Sequence, residues 1–202
     1  MKHSIVLATR NTGKLKELKD LLAEFPVEVL SLADFSGSPE IEEDGATFAE
    51  NALIKARAVA EHTGLVTVAD DSGLEVDALS GAPGVLSARF AGEPKDDRRN
   101  NDKLLALLEG VDAENRGARF RCVIAIVTPG GKEYLSEGRC EGRIGFVPRG
   151  IHGFGYDPLF YLPEHGQTMA EIAPALKNRI SHRARAFQEA VSVLESILFQ
   201  GE

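Results

Sequence analysis

The run Ser4-Ile5-Val6-Leu7-Ala8 reads as a buried strand, and it leads into a polar glycine loop, Thr9-Arg10-Asn11-Thr12-Gly13-Lys14. Leu15, Leu18, Leu21, Leu22 and Phe25 then recur at helical spacing. A strand, a glycine loop and a helix start belong to an α/β fold, and they make an anion cradle. The first-turn N–H groups of a helix have no acceptor within it and point at whatever lies beyond.

A P-loop is excluded. That pattern needs Gly five residues before Gly13, where Ala8 stands, and Ser or Thr after the lysine, where Leu15 stands. The weaker reading is that Lys14 and the loop amides hold phosphate, and a capped helix with a solvated Lys14 accounts for the segment equally well.

Val27 to Leu30 forms the next expected strand, Phe35 to Ile41 a loop, and Phe48, Ala52, Ala56, Val59 and Ala60 the apolar side of a helix ending near Glu61. Glu42-Glu43-Asp44 precede that helix. They either serve its dipole, worth under about 1 kcal/mol, or ligate a metal, if they face other acids.

Those other acids are Asp70 and Asp71. The apolar run Leu65 to Val68 ends in Ala69-Asp70-Asp71-Ser72-Gly73, which predicts a strand that turns at Asp71 and places two carboxylates at a sheet edge. A polar turn with no chemistry uses the same residues.

Further along, Gly81-Ala82-Pro83-Gly84 predicts a tight loop and Asp96 to Leu108 a helix. Ala118 to Thr128 and Lys132 to Cys140 predict long scaffold strands joined by Pro129-Gly130-Gly131. Gly150 to Pro158 sets three glycines among His152, Phe154, Tyr156 and Asp157, so backbone can approach a planar ligand on which Phe154 or Tyr156 stacks.

With 23 Lys and Arg against 31 Asp and Glu, the net charge is −8, which argues against a general nucleic-acid-binding surface. Against that background, Lys177 to Arg185 holds four cations and His182, with Ser181 as a candidate N-cap. A phosphate site and a solvated basic face explain this run equally well. Cys122 and Cys140 lack metal-ligand spacing and read as buried thiols. Met1-Lys2-His3 runs into an apolar stretch too short for a signal-peptide core, and no stretch reaches transmembrane length. A chain of 202 residues with these properties is expected to be one compact, soluble, cytoplasmic domain without a membrane partner.

Taken together, Leu7 to Lys14, Phe48 to Ala52 with Lys55-Ala56, Ala69 to Leu74, Gly81 to Gly84, Phe154 to Pro158 and Ile180 to Arg183 resemble the inosine triphosphate pyrophosphatase family. The likeness runs in order from Ile5 to about Arg183. It implies an elongated mixed β-sheet with flanking helices, two lobes around an active-site cleft, and a homodimer. It also implies Mg2+-dependent hydrolysis of ITP, dITP and XTP to the monophosphate and pyrophosphate.

By the same resemblance, Thr9, Arg10, Asn11, Thr12, Gly13 and Lys14 would hold the triphosphate, with Asn51 and Lys55 supporting it. Asp71 would be general base and metal ligand, with Asp70 beside it, Glu43 a further metal ligand and Ser72 touching substrate. Phe154, Gly155, Tyr156 and Asp157 would take the base, and Lys177, His182 and Arg183 the base and phosphates. Two rivals are a pyrophosphatase for modified pyrimidine nucleotides and a nucleotide-sensing module that does not hydrolyse. The complete Ser181-His182-Arg183 motif opposes the first, and the acids oppose the second.

Overall fold

The computed structural model describes residues 3 to 200, so the Met1-Lys2 lead lies outside the described residues. Strand β1 (His3–Leu7) runs parallel to β2 (Val27–Ser31) on one side, and on the other side to β3 (Val66–Val76). Its Ile5, Val6 and Leu7 are wholly buried, as a strand with neighbours on both edges and helices on its faces requires.

Helix α1 (Thr12–Leu21) starts earlier than the leucine stripe alone indicates, because Asn11 caps it: Asn11 Oδ1 accepts the Lys14 N–H at 3.0 Å. Helix α2 (Phe48–Thr63) begins at Thr47, whose hydroxyl accepts the Glu50 N–H at 3.2 Å while the Glu50 carboxylate accepts those of Ala46 and Thr47. This Thr-x-x-Glu box is written in the sequence.

The turn expected after Asp71 does not form. β3 continues through Asp70, Asp71, Ser72 and Gly73 to Val76, an eleven-residue strand. Turn-prone residues are overridden by pairing, since β3 lies between β1 and the equally long β4 (Gly117–Val127). The consequence is that the two acids keep strand alternation and address opposite faces.

Helix α3 (Asp97–Leu107) precedes β4, and the turn after β4 is closed by the Thr128 N–H on the Lys132 carbonyl at 3.0 Å. β5 (Glu133–Ile144) runs four residues beyond Cys140 and pairs antiparallel with β6 (Phe160–Leu162), which pairs antiparallel with β7 (Gln167–Thr168). The order β2-β1-β3-β4-β5-β6-β7 is therefore a mixed, open sheet, as the resemblance implies. Helices α4 (Pro174–Ile180) and α5 (His182–Glu195) follow, separated by Ser181, and a π turn spans Ser196–Gln200.

Contacts divide the chain into two compact units, and β3, β4 and β5 contribute residues to both. One unit takes residues up to Asp71, Cys122–Gly138 and the chain from Arg183 onward. Its core packs Ile5, Leu7, Val68, Ile124, Phe187 and Leu194. The other takes Ser72–Arg121 and Arg139–His182, with Leu74, Leu104, Phe120, Tyr156, Phe160 and Met169 at its centre. Among the described residues no helix is long and apolar enough to cross a membrane.

Candidate active site

In the first unit the N-terminal loop is wound by its own side chains. Thr9 Oγ1 accepts the Asn11 N–H at 3.2 Å, Asn11 caps α1, and helix geometry leaves the Thr12 and Gly13 amides without intrahelical acceptors. Arg10 reaches away from them, donating to the Ser38 and Pro39 carbonyls at 3.3 Å.

Asp70 and Asp71 meet different partners. Asp70, 1% exposed, sets Oδ2 3.0 Å from Lys14 Nζ and accepts from Arg183 Nη2 at 3.1 Å and Nε at 3.3 Å. Arg183, also 1% exposed, donates to Glu17 on α1 as well. Burial alone would raise the Asp70 pKa, but Lys14, Arg183 and Lys55 outweigh it and hold the carboxyl far below the usual range. Asp70 is a permanent anion that fixes two cations.

Asp71, 7% exposed, accepts from Lys55 Nζ through Oδ1 at 3.3 Å, and Lys55 also donates to Glu43 Oε2 at 2.7 Å. Burial pushes the Asp71 pKa up, and Glu43 and Asp70 add to that push against the pull of Lys55 and Lys14. Burial depresses Lys55, yet Asp71, Asp70 and Glu43 together raise it. Among the described residues Asp71 Oδ2 is buried with no hydrogen-bond partner. A raised pKa and an open oxygen are what a proton acceptor needs.

Asn51, assigned to the phosphate end by resemblance, accepts the Gly45 N–H at 2.8 Å and so anchors the segment that carries Glu43. A Cβ on Gly45 would come within 2.7 Å of Asn51 Oδ1, so this approach needs glycine. Glu50 and Glu17 were missed by sequence reasoning. The capping box could have located Glu50, but Glu17 lies 166 positions from Arg183 and nothing local marks it. Cys122, whose thiol lies 4.0 Å from Asp70 Oδ2, is pushed up to about 12 by burial and then by that anion, which makes it an inert donor.

The second unit holds another cluster. Asp157 Oδ2 accepts the Phe154 N–H at 2.9 Å and pairs with Lys177 Nζ, which lies 4.9 Å from the Phe154 ring centroid. Tyr156 turns into the core and donates to the Ser87 carbonyl at 2.8 Å, so Phe154 is the half-buried aromatic. Ser87 Oγ in turn accepts the Leu74 N–H and donates to the Gly84 carbonyl, tying the glycine-proline loop to this cluster. His182 stacks on Phe120 at 4.8 Å between centroids, and Ser72 sits half-buried on β3.

Gly153 adopts φ 77°, and a Cβ there would fall 2.0 Å from Asp157 Oδ2. Gly153→Ala is therefore expected to cost about 1–3 kcal/mol and to displace the Asp157–Lys177 pair. Thermal unfolding beside wild type checks this, and an unchanged Tm would contradict it.

The Ham1 family model matches residues 5–193. The chain belongs to the Ham1 family. This Ham1 chain is similar to a dITP/XTP pyrophosphatase from Desulforamulus reducens, 58% identical over 198 residues and covering 98% of each chain. It is also similar to a dITP/XTP pyrophosphatase from Geobacillus kaustophilus, 53% identical over 96% of this chain and 95% of that one. Among solved structures, a HAM1 protein from Coxiella burnetii superposes with a TM-score of 0.86 at 46% identity, covering 95% of this chain and 98% of that one. The family recognised from the motifs is thus borne out, and so is the α/β fold.

Proposed function

We propose that this protein hydrolyses deaminated purine nucleoside triphosphates, ITP, dITP and XTP, to the monophosphate and pyrophosphate. The observation that carries the reading is the division of labour between adjacent acids: Asp70 is locked between Lys14 and Arg183 and held ionised, while Asp71 pairs with Lys55 and has its pKa raised. A sensing module has no use for a poised base beside a second carboxylate.

The first-turn amides of α1 and Lys14 would bind the phosphates. Asp71 would orient a water toward the α-phosphorus and accept its proton as the water oxygen bonds to phosphorus and the bond to the bridging oxygen breaks, releasing pyrophosphate. Four carboxylates, Glu17, Glu43, Asp70 and Asp71, stand with three cations, Lys14, Lys55 and Arg183, so the cluster alone presents no net positive charge to a triphosphate. A divalent cation answers that deficit. Two carboxylates, with the rest of the shell from phosphate and water, suit Mg2+, and Asp71 and Glu43, which meet at Lys55 Nζ, would supply them. When bound there, Mg2+ would neutralise phosphate oxygens and polarise the α-phosphate.

The second cluster would read the base. Phe154 supplies a face, and Lys177 a donor suited to a 6-keto oxygen. Adenine would turn an amino group toward that donor, and an unpaired buried donor costs about 1–3 kcal/mol. The resemblance also leads us to expect a cytoplasmic homodimer. Light scattering at working concentration checks the assembly.

Calorimetric binding of ITP measured beside product analysis tests the reading. With Mg2+ we expect IMP and pyrophosphate in equal amounts, and excess EDTA is expected to abolish release. Binding without turnover would transfer the protein to the sensing class.

A further inference from the structure

Helix α3 grips Gly155 by both of that residue's backbone groups. Asp97 Oδ2 accepts the Gly155 N–H at 2.7 Å, and Asn101 Nδ2 donates to the Gly155 carbonyl at 2.9 Å. The two side chains are four residues apart, so one helical face presents an acceptor and then a donor.

The gripped residue is the junction of the base cluster. Gly155 adopts φ 61°, and it separates Phe154, whose ring neighbours Lys177, from Tyr156, which is anchored on Ser87. Glycine here gives the turn its left-handed bend and also its freedom to move. Hydrogen bonds at both ends of Gly155 remove that freedom.

Asn101 is 8% exposed, and among the described residues its Oδ1 is buried with no hydrogen-bond partner. A buried acceptor left open is unfavourable, so an apolar side chain would serve packing better than an amide. What the amide adds is the Nδ2 donor to Gly155.

We propose that Asp97 and Asn101 are positioning residues for base recognition, clamping Gly155 so that the Phe154 ring and the Asp157–Lys177 pair are held ready for the purine. This rests on the reading of the second cluster as the base site. The clamp acts before chemistry, so its loss weakens binding and leaves the hydrolytic step alone.

Steady-state kinetics with ITP and Mg2+, with thermal unfolding alongside, separates positioning from mere support. Asn101→Leu and Asp97→Ala are each expected to raise KM roughly three- to tenfold with kcat within about twofold of wild type. Asn101→Leu, which also removes the open acceptor, is expected to keep the wild-type Tm. Asp97→Asn, which retains an acceptor for the Gly155 N–H, is expected to restore KM. Wild-type KM in both disruptive variants overturns the clamp, as does a joint fall of kcat and Tm, or failure of Asp97→Asn to rescue. Absence of pyrophosphate release by the wild type in the same assay would fail the functional reading instead.

Discussion

Asp71→Asn is expected to fold as the wild type does and to release pyrophosphate from ITP roughly 10²–10⁴-fold more slowly, the range contributed by a general base. The fold survives because an asparagine carbonyl can still accept from Lys55, and Lys55 retains Glu43. The oxygen that changes character is Oδ2, which has no hydrogen-bond partner among the described residues. Circular dichroism and a pyrophosphate-release assay on one preparation check both halves. A folded variant with wild-type turnover would remove Asp71 from the mechanism.

One residue earlier, the same substitution is expected to damage stability. Asp70→Asn deletes the anion that Arg183 and Lys14 share, leaving buried positive charge behind. Removing one partner of a buried pair costs about 3–5 kcal/mol, and since Glu17 still contacts Arg183 the lower end, about 3 kcal/mol, applies. For a chain of this length that is a fall in Tm of roughly 6–12 °C. Scanning calorimetry of Asp70→Asn beside Asp71→Asn reads the contrast. Equal melting temperatures would show that the two acids do not differ as their surroundings indicate.

The residues themselves do not show this contrast, since Asp70 and Asp71 look alike; the resemblance alone gave Asp71 the part of the base. Turn-prone Ser72 and Gly73 suggested that the chain bends and brings both carboxylates to one place. Pairing of a long strand decides otherwise, and alternation then sends each acid to its own partners. The N-terminal strand, loop and helix were legible because hydrophobic period and turn chemistry agree there. The Asn11 cap moves the start of α1, and the helix ends at Leu21, before the Leu22 and Phe25 of the expected stripe.

Partners distant in sequence were the hidden part. Arg183 stood out as a cation in an acidic chain, but its pairing with Asp70, 113 positions away, and with Glu17 is not marked in the sequence. Tyr156 and Phe154 looked interchangeable as stacking groups, yet the Ser87 carbonyl draws the tyrosine hydroxyl inward. Asn51, expected at the phosphate end, accepts the Gly45 N–H beside Glu43, a contact the sequence does not show. In each case the contacts around the residue come from another part of the fold.

The central claim is that purified protein cleaves deaminated purine triphosphates between the α- and β-phosphates. Its most direct test is pyrophosphate release from ITP, XTP, ATP, GTP and dUTP at equal concentration with Mg2+, resolving monophosphate from diphosphate products. The account predicts IMP and XMP with pyrophosphate, and little product from ATP or dUTP. Equal turnover of all five, or diphosphate and orthophosphate as products, would contradict it.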